Sequence, residues 1–89
     1  MNTHTTEDFW DDFRRLPREI RQQAYKAYRT FSRDPFSTGL NFKEVNKKRH
    51  LWSARITRGY RTLGVRDGED ITWVWIGPHA EYDKRLKGR

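Results

Sequence analysis

The sequence predicts an α+β domain: a hairpin of two helices packed on one face of a small antiparallel sheet of about four strands, then a short C-terminal helix or tail. Three observations carry this. Apolar residues recur at spacings of three and four from Phe9 to Phe31, and the period changes to two after Phe42. Proline and glycine fall between these runs, at Pro17, Pro35, Gly59, Gly68 and Pro78. Helices followed by strands place the helices together on one sheet face and leave the other face, with its basic residues, available for function.

Each element has a local cause. Thr5 or Thr6 can cap the first helix, and Glu7 and Asp8 in its first turn oppose the helix dipole. Phe9, Trp10, Phe13 and Leu16 form its apolar stripe. Pro17 ends that helix and suits the first turn of the next. Ile20, Ala24, Ala27, Tyr28 and Phe31 form the second stripe, and Asp34-Pro35 stops it because the residue before proline avoids helical angles. Pro35 to Asn41 reads as a loop. Phe42 to Asn46 is a short strand, followed by the basic turn Lys47-Lys48-Arg49-His50. From Leu51 to Thr57 the alternation puts Trp52, Ala54 and Ile56 on one face and Ser53, Arg55 and Thr57 on the other. Arg58-Gly59 turns the chain into a return strand, Tyr60 to Arg66, and Asp67-Gly68 begins the next turn. Ile71 to Gly77 is apolar on both faces through Trp73, Val74, Trp75 and Ile76, as in an interior strand, and Pro78 ends it. His79 to Leu86 is a last short helix or an irregular tail, and Lys87-Gly88-Arg89 is expected to fray.

A chain of 89 residues is expected to form one domain, 1–89, burying roughly two-thirds of its unfolded surface. That excludes a Rossmann enzyme or a two-domain machine. Nineteen Lys and Arg against twelve Asp and Glu give a net charge of +7. The charge is uneven: residues 1–12 hold Glu7, Asp8, Asp11 and Asp12 and no Lys or Arg, whereas Arg14 to Arg61 holds fourteen bases and three acids. A surface this basic points to a polyanionic partner, nucleic acid before membrane; the plainer reading is a solvated basic surface. There is no cysteine, so no disulfide or thiolate-metal site. The polar, acidic N-terminus has no apolar signal core, and Trp73–Ile76 is too short to span a bilayer. The expectation is a cytoplasmic protein.

No metal or other cofactor is expected. His4, His50 and His79 are far apart and outside any ligand spacing, and there is no phosphate-cradling glycine loop or nucleophile elbow. What remains is Arg, Lys, His and Tyr around a sheet, residue types that fit metal-free cleavage of RNA. The 2′-hydroxyl must lose a proton, the phosphorane must be stabilised, and the 5′-oxygen must gain a proton. Histidine transfers protons near neutral pH, and guanidinium groups hold phosphate bidentately. Arg55 and Arg61, on strands joined by the Arg58-Gly59 turn, and His79, just past the last strand, converge if the strands run up and down. The bland alternatives are a solvated Arg55, an Arg61 held in a salt bridge, a His79 that closes a loop and a Tyr82 in the core. Lys47, Lys48 and Arg49, with Arg58, are candidates for RNA backbone contacts. Trp73 or Trp75, if exposed, are candidates for base stacking.

As a whole, the string resembles the RelE/ParE superfamily of type II toxins. The resemblance lies in Ser53-Ala54-Arg55-Ile56-Thr57, Gly59-Tyr60-Arg61 and Ile76-Gly77-Pro78-His79-Ala80-Glu81-Tyr82, with Leu16-Pro17 between two helices upstream. It covers nearly the whole chain and implies a curved sheet and an acidic antitoxin as partner. Members on the RelE side resemble metal-independent ribonucleases that cut messenger RNA on the ribosome. Carried over on that likeness, Arg61 is the phosphate-stabilising arginine, Arg55 a substrate contact, His79 a proton-transfer residue and Tyr82 the C-terminal tyrosine. Lys43 and Glu44 fall near positions of a lysine and a general-base glutamate, by a looser match. Some nuclease members keep the His and Tyr adjacent, whereas Ala80 and Glu81 separate His79 from Tyr82 here. The alternatives are a ParE-like poison of DNA gyrase and a catalytically inactive antitoxin-binding module.

Overall fold

Thr6 opens the first helix: its hydroxyl accepts from the Phe9 N–H at 3.1 Å, and Glu7 and Asp8 follow in the first turn. In the computed structural model, which describes residues 1–86, α1 spans Glu7–Arg14 and α2 spans Arg18–Arg33. Pro17 caps α2 between them, and the Asp34 N–H still reaches Thr30 O at 2.9 Å before Pro35 diverts the chain. A single 3₁₀ turn, Thr38–Leu40, lies in the expected loop. The strands β2 (Lys43–Asn46), β3 (Leu51–Thr57), β4 (Tyr60–Asp67) and β5 (Asp70–Pro78) form an antiparallel meander. The chain ends in α3, His79–Leu86, so that segment is a helix and not an irregular tail. The fraying expected of Lys87-Gly88-Arg89 lies outside the described residues.

The sheet has five strands, not four. Asn2–Thr5 forms β1, which pairs with β5 in parallel and extends the order to β1-β5-β4-β3-β2. Asn-Thr-His-Thr has no apolar alternation to announce a strand. It is held by backbone pairing at a sheet edge and by His4 Nε2, 3.2 Å from Asp70 Oδ1. The hydrogen bond from His4, with a second from Asn2, holds the Asp70 carboxyl below its usual range.

The two faces bury different sets. On the helix face Phe9, Phe13, Phe31, Phe42, Ile71, Trp73 and Ile76 make the main core. Phe31 meets Phe42 and Trp73 edge-on, with ring centroids 5.0 and 5.4 Å apart. The other face is not left open as expected. α3 lays Tyr82 and Leu86 on it, four residues apart, over a second core of Leu51, Leu63 and Trp75.

A β-bulge in β5 makes this division possible. Leu63 pairs with Trp75 and the next residue, Gly64, with Trp73, so Val74 is the extra residue. Without the bulge, two tryptophans at i and i+2 would share one face. With it, Trp73 enters the helix core and Trp75 lies under α3. They are 7% and 4% exposed, so neither is a base-stacking platform. Burying each such side chain stabilises the fold by about 1.5–3 kcal/mol. Among the described residues no helix is long and apolar enough to cross a membrane.

Candidate functional site

The hairpin of β3 and β4 sets the geometry. Arg55 pairs with Arg61, and Arg61 pairs with Gly77 on β5. Residues opposite one another in a ladder share a face, so Arg55 and Arg61 stand side by side on the α3 face. The neighbouring rung on that face is Lys43, Ser53, Leu63 and Trp75. At the strand ends, the His79 N–H donates to Gly59 O at 2.7 Å and ties the start of α3 to the β3–β4 turn. The His79 ring lies 5.4 Å from that of Tyr82. Arg55, Arg61 and His79 therefore come to one end of one face, with exposed Arg58 in the turn beside them.

The electrostatics of this end are unbalanced. Like charges directly opposite in a ladder repel. Ion pairs among the described residues join His4 to Asp70, Arg14 to Asp11 and Arg15 to Asp12, and none involves Arg55 or Arg61. The salt-bridge reading of Arg61 gives way to a backbone clamp. Its Nη1 donates to the carbonyls of Thr57, Arg58 and Tyr60 at 2.7, 3.1 and 3.1 Å. This fixes the guanidinium while one nitrogen serves the turn. Gly77 leaves the rung flat beside it, because a Cβ there would lie 2.6 Å from the Trp75 indole. Gly77 and Trp75 had no catalytic signature in the sequence, and their contribution is shape.

Other candidates are placed elsewhere. Glu44 pairs with Trp52, which packs against the helix-side core, so Glu44 is on the opposite face from Arg61. Tyr82 is 8% exposed, and its hydroxyl donates to Ser53 Oγ at 3.0 Å, so it acts as the polar pin of the second core. Sequence reading did not assign Ser53 this role, although its alternation with Arg55 marked the face. Lys47, Lys48 and Arg49 form the β2–β3 turn, at the far end of β3 and roughly 20 Å from the Arg58-Gly59 turn at about 3.3 Å per residue. Arg49 Nη1 donates to Arg85 O at 3.3 Å, and the Arg85 guanidinium lies 5.8 Å from the Trp75 ring centroid. Lys43 lies on the α3 face, one rung from Arg55. Among the described residues no three His, Cys, Asp or Glu side chains gather to hold a metal ion.

A family model for the ParE-like toxin domain matches residues 18–84, and the chain belongs to that family, within the type II toxin–antitoxin toxins. Solved structures agree in fold. The YoeB/ParE toxin from Agrobacterium tumefaciens superposes with a TM-score of 0.67 at 21% identity, over 89% of this chain and 99% of that one. A chain of the RelB-RelE antitoxin-toxin complex from Methanococcus jannaschii gives 0.74 at 13% identity, over 92% and 96%. A chain of the toxin-antitoxin complex RelBE2 from Mycobacterium tuberculosis gives 0.65 at 23%, over 89% and 91%. No curated protein matches the chain in sequence.

Proposed function

We propose that the protein is a metal-independent endoribonuclease that cuts messenger RNA on the ribosome and is silenced by an acidic antitoxin. The observation carrying this reading is the Arg55–Arg61 pair: two guanidinium groups on one rung, no acid partner among the described residues, and His79 tied to the adjoining turn. Such a pair favours an anion between its members. A phosphorane, with its extra charge, is favoured over the ground-state diester. In this reading Arg61 and Arg55 stabilise the phosphorane and His79 protonates the departing 5′-oxygen. Lys43 and Arg58 contact flanking phosphates, and Lys47, Lys48 and Arg49 extend the track beyond α3. Tyr82 can take the 2′-proton only as a phenolate, after its own proton has left and its bond to Ser53 is released. Glu44 lies on the other face and is set aside as the base.

A second reading, a poison of DNA gyrase, is favoured by the ParE-like family match and by the engagement of Tyr82. Mapping RNA ends and DNA breaks after expression separates the two. New RNA cuts within codons, lost in His79→Ala, are the expected outcome. Double-strand DNA breaks with intact RNA would assign the gyrase reading instead. The antitoxin implied by a +7 chain is acidic, disordered alone and folded on binding.

A further inference from the structure

On the face away from Arg55 and Arg61, α1, α2 and β1 line a half-open pocket of about 350 Å³ over the sheet. Three small residues leave room for it: Ala24 and Ala27 on α2 and Ala54 on β3. Aromatic side chains, chiefly Phe9, Trp10, Phe13, Phe31 and Trp73, form the walls. Two tyrosines of α2 reach across the opening. The Tyr25 ring meets Phe13 edge-on at 5.4 Å, and the Tyr28 hydroxyl is 3.3 Å from Thr3 Oγ1. Both are about half exposed, at 51% and 49%, as lid residues would be.

The polar groups are few and lie mostly at the β1 end. Thr5 Oγ1 already accepts from Trp10 Nε1 at 2.8 Å, and His4 faces Asp70. On the floor, the Thr62 hydroxyl donates to Trp75 O at 2.8 Å. The long Tyr28–Thr3 contact is the pair best placed to accept a third partner. Among the described residues no Lys, Arg, Asp or Glu lines the pocket, so a charged ligand would be desolvated without compensation. An apolar cavity of roughly 150 Å³ stays dry and takes up benzene, and pockets above about 300 Å³ suit larger ligands.

We propose that this chamber binds a small neutral aromatic molecule with one hydrogen-bonding group. Its ring packs among Phe9, Phe13, Phe31 and Trp73, and its polar group joins Tyr28 and Thr3. Aromatic edges and faces on several walls favour a ring over an alkyl chain. The site is separate from the nuclease reading and stands or falls without it.

Titration calorimetry of the full chain with p-cresol and with toluene tests this. Saturable one-to-one binding of p-cresol is expected, with Kd on the order of 10 μM to 1 mM, and tighter than toluene. Ala24→Leu fills the chamber. It should weaken p-cresol at least tenfold and raise the melting midpoint of the unliganded protein. Tyr28→Phe should abolish the preference for p-cresol over toluene while leaving toluene binding unchanged. Absence of saturable binding would overturn the proposal. So would a fall in midpoint for Ala24→Leu, which would mean that the walls close in solution. Sedimentation revealing a dimer that p-cresol does not dissociate would overturn it too, by giving the chamber to a second copy of the chain.

Discussion

Two neighbouring rungs on the α3 face divide the molecule's work. The rung Ser53–Leu63–Trp75 lies under α3, with Tyr82 hydrogen-bonded to Ser53. The rung Arg55–Arg61–Gly77 lies one step further along, roughly 7 Å away, and lacks an acid partner among the described residues. The first rung is core and the second carries two guanidinium groups, although both belong to the same three strands. What separates them is the reach of α3, which begins at His79 beside the second rung and crosses the first with Tyr82. One short helix thus seals half of a sheet face and leaves the other half cationic.

The comparison breaks most readily at Trp75. Trp75→Ala should destabilise the protein by about 3–5 kcal/mol in urea unfolding, through lost transfer energy and the cavity left under α3. Arg55→Ala, one rung away, should stay within about 0.5 kcal/mol of the parent or be slightly more stable, because it relieves a like-charge pair. Equal losses from both would erase the distinction between the rungs.

Gly77→Ala sharpens the boundary itself. The added methyl must displace the Trp75 indole, so unfolding should show a loss of about 1–3 kcal/mol together with a changed tryptophan emission. Tyr82→Phe is milder. It leaves Ser53 Oγ without its buried partner and should remove about 1 kcal/mol, while amide exchange across residues 79–86 accelerates as α3 loosens.

The smallest effect lies at the β1 edge and depends on pH. The folded-state pKa of Asp70 is depressed by His4 and then Asn2. Its contribution is therefore present above the unfolded value, about 3.9, and is lost as pH falls through the folded value. Between about pH 5 and pH 2, Asp70→Asn should lose less stability than the parent. An identical acid limb for both would mean that the His4–Asp70 contact does not hold in solution.

The helices were legible because Phe9, Phe13, Ala24 and Phe31 repeat with the helical period and because Thr6 and Pro17 mark the starts. The convergence of Arg55, Arg61 and His79 was legible from strand alternation plus a two-residue turn. β1 was not, since an edge strand held by its backbone requires no apolar side chains. The burial of both tryptophans depends on a bulge at Val74, and a bulge is a change of register that periodicity cannot announce. Glu44 came from a loose family match alone, and strand alternation puts it on the face opposite its neighbour Lys43. Tyr82 was ambiguous until α3 put its hydroxyl on Ser53.

The claim that the Arg55–Arg61 rung and His79 form a phosphate-cleaving site is tested most directly by single-turnover cleavage of messenger RNA on programmed ribosomes. Parent, Arg55→Ala and His79→Ala proteins should be compared at matched folded fraction. The account predicts a loss of about a hundredfold or more for His79→Ala and at least about tenfold for Arg55→Ala, with unfolding midpoints unchanged. Cleavage at the parental rate by both variants would contradict it.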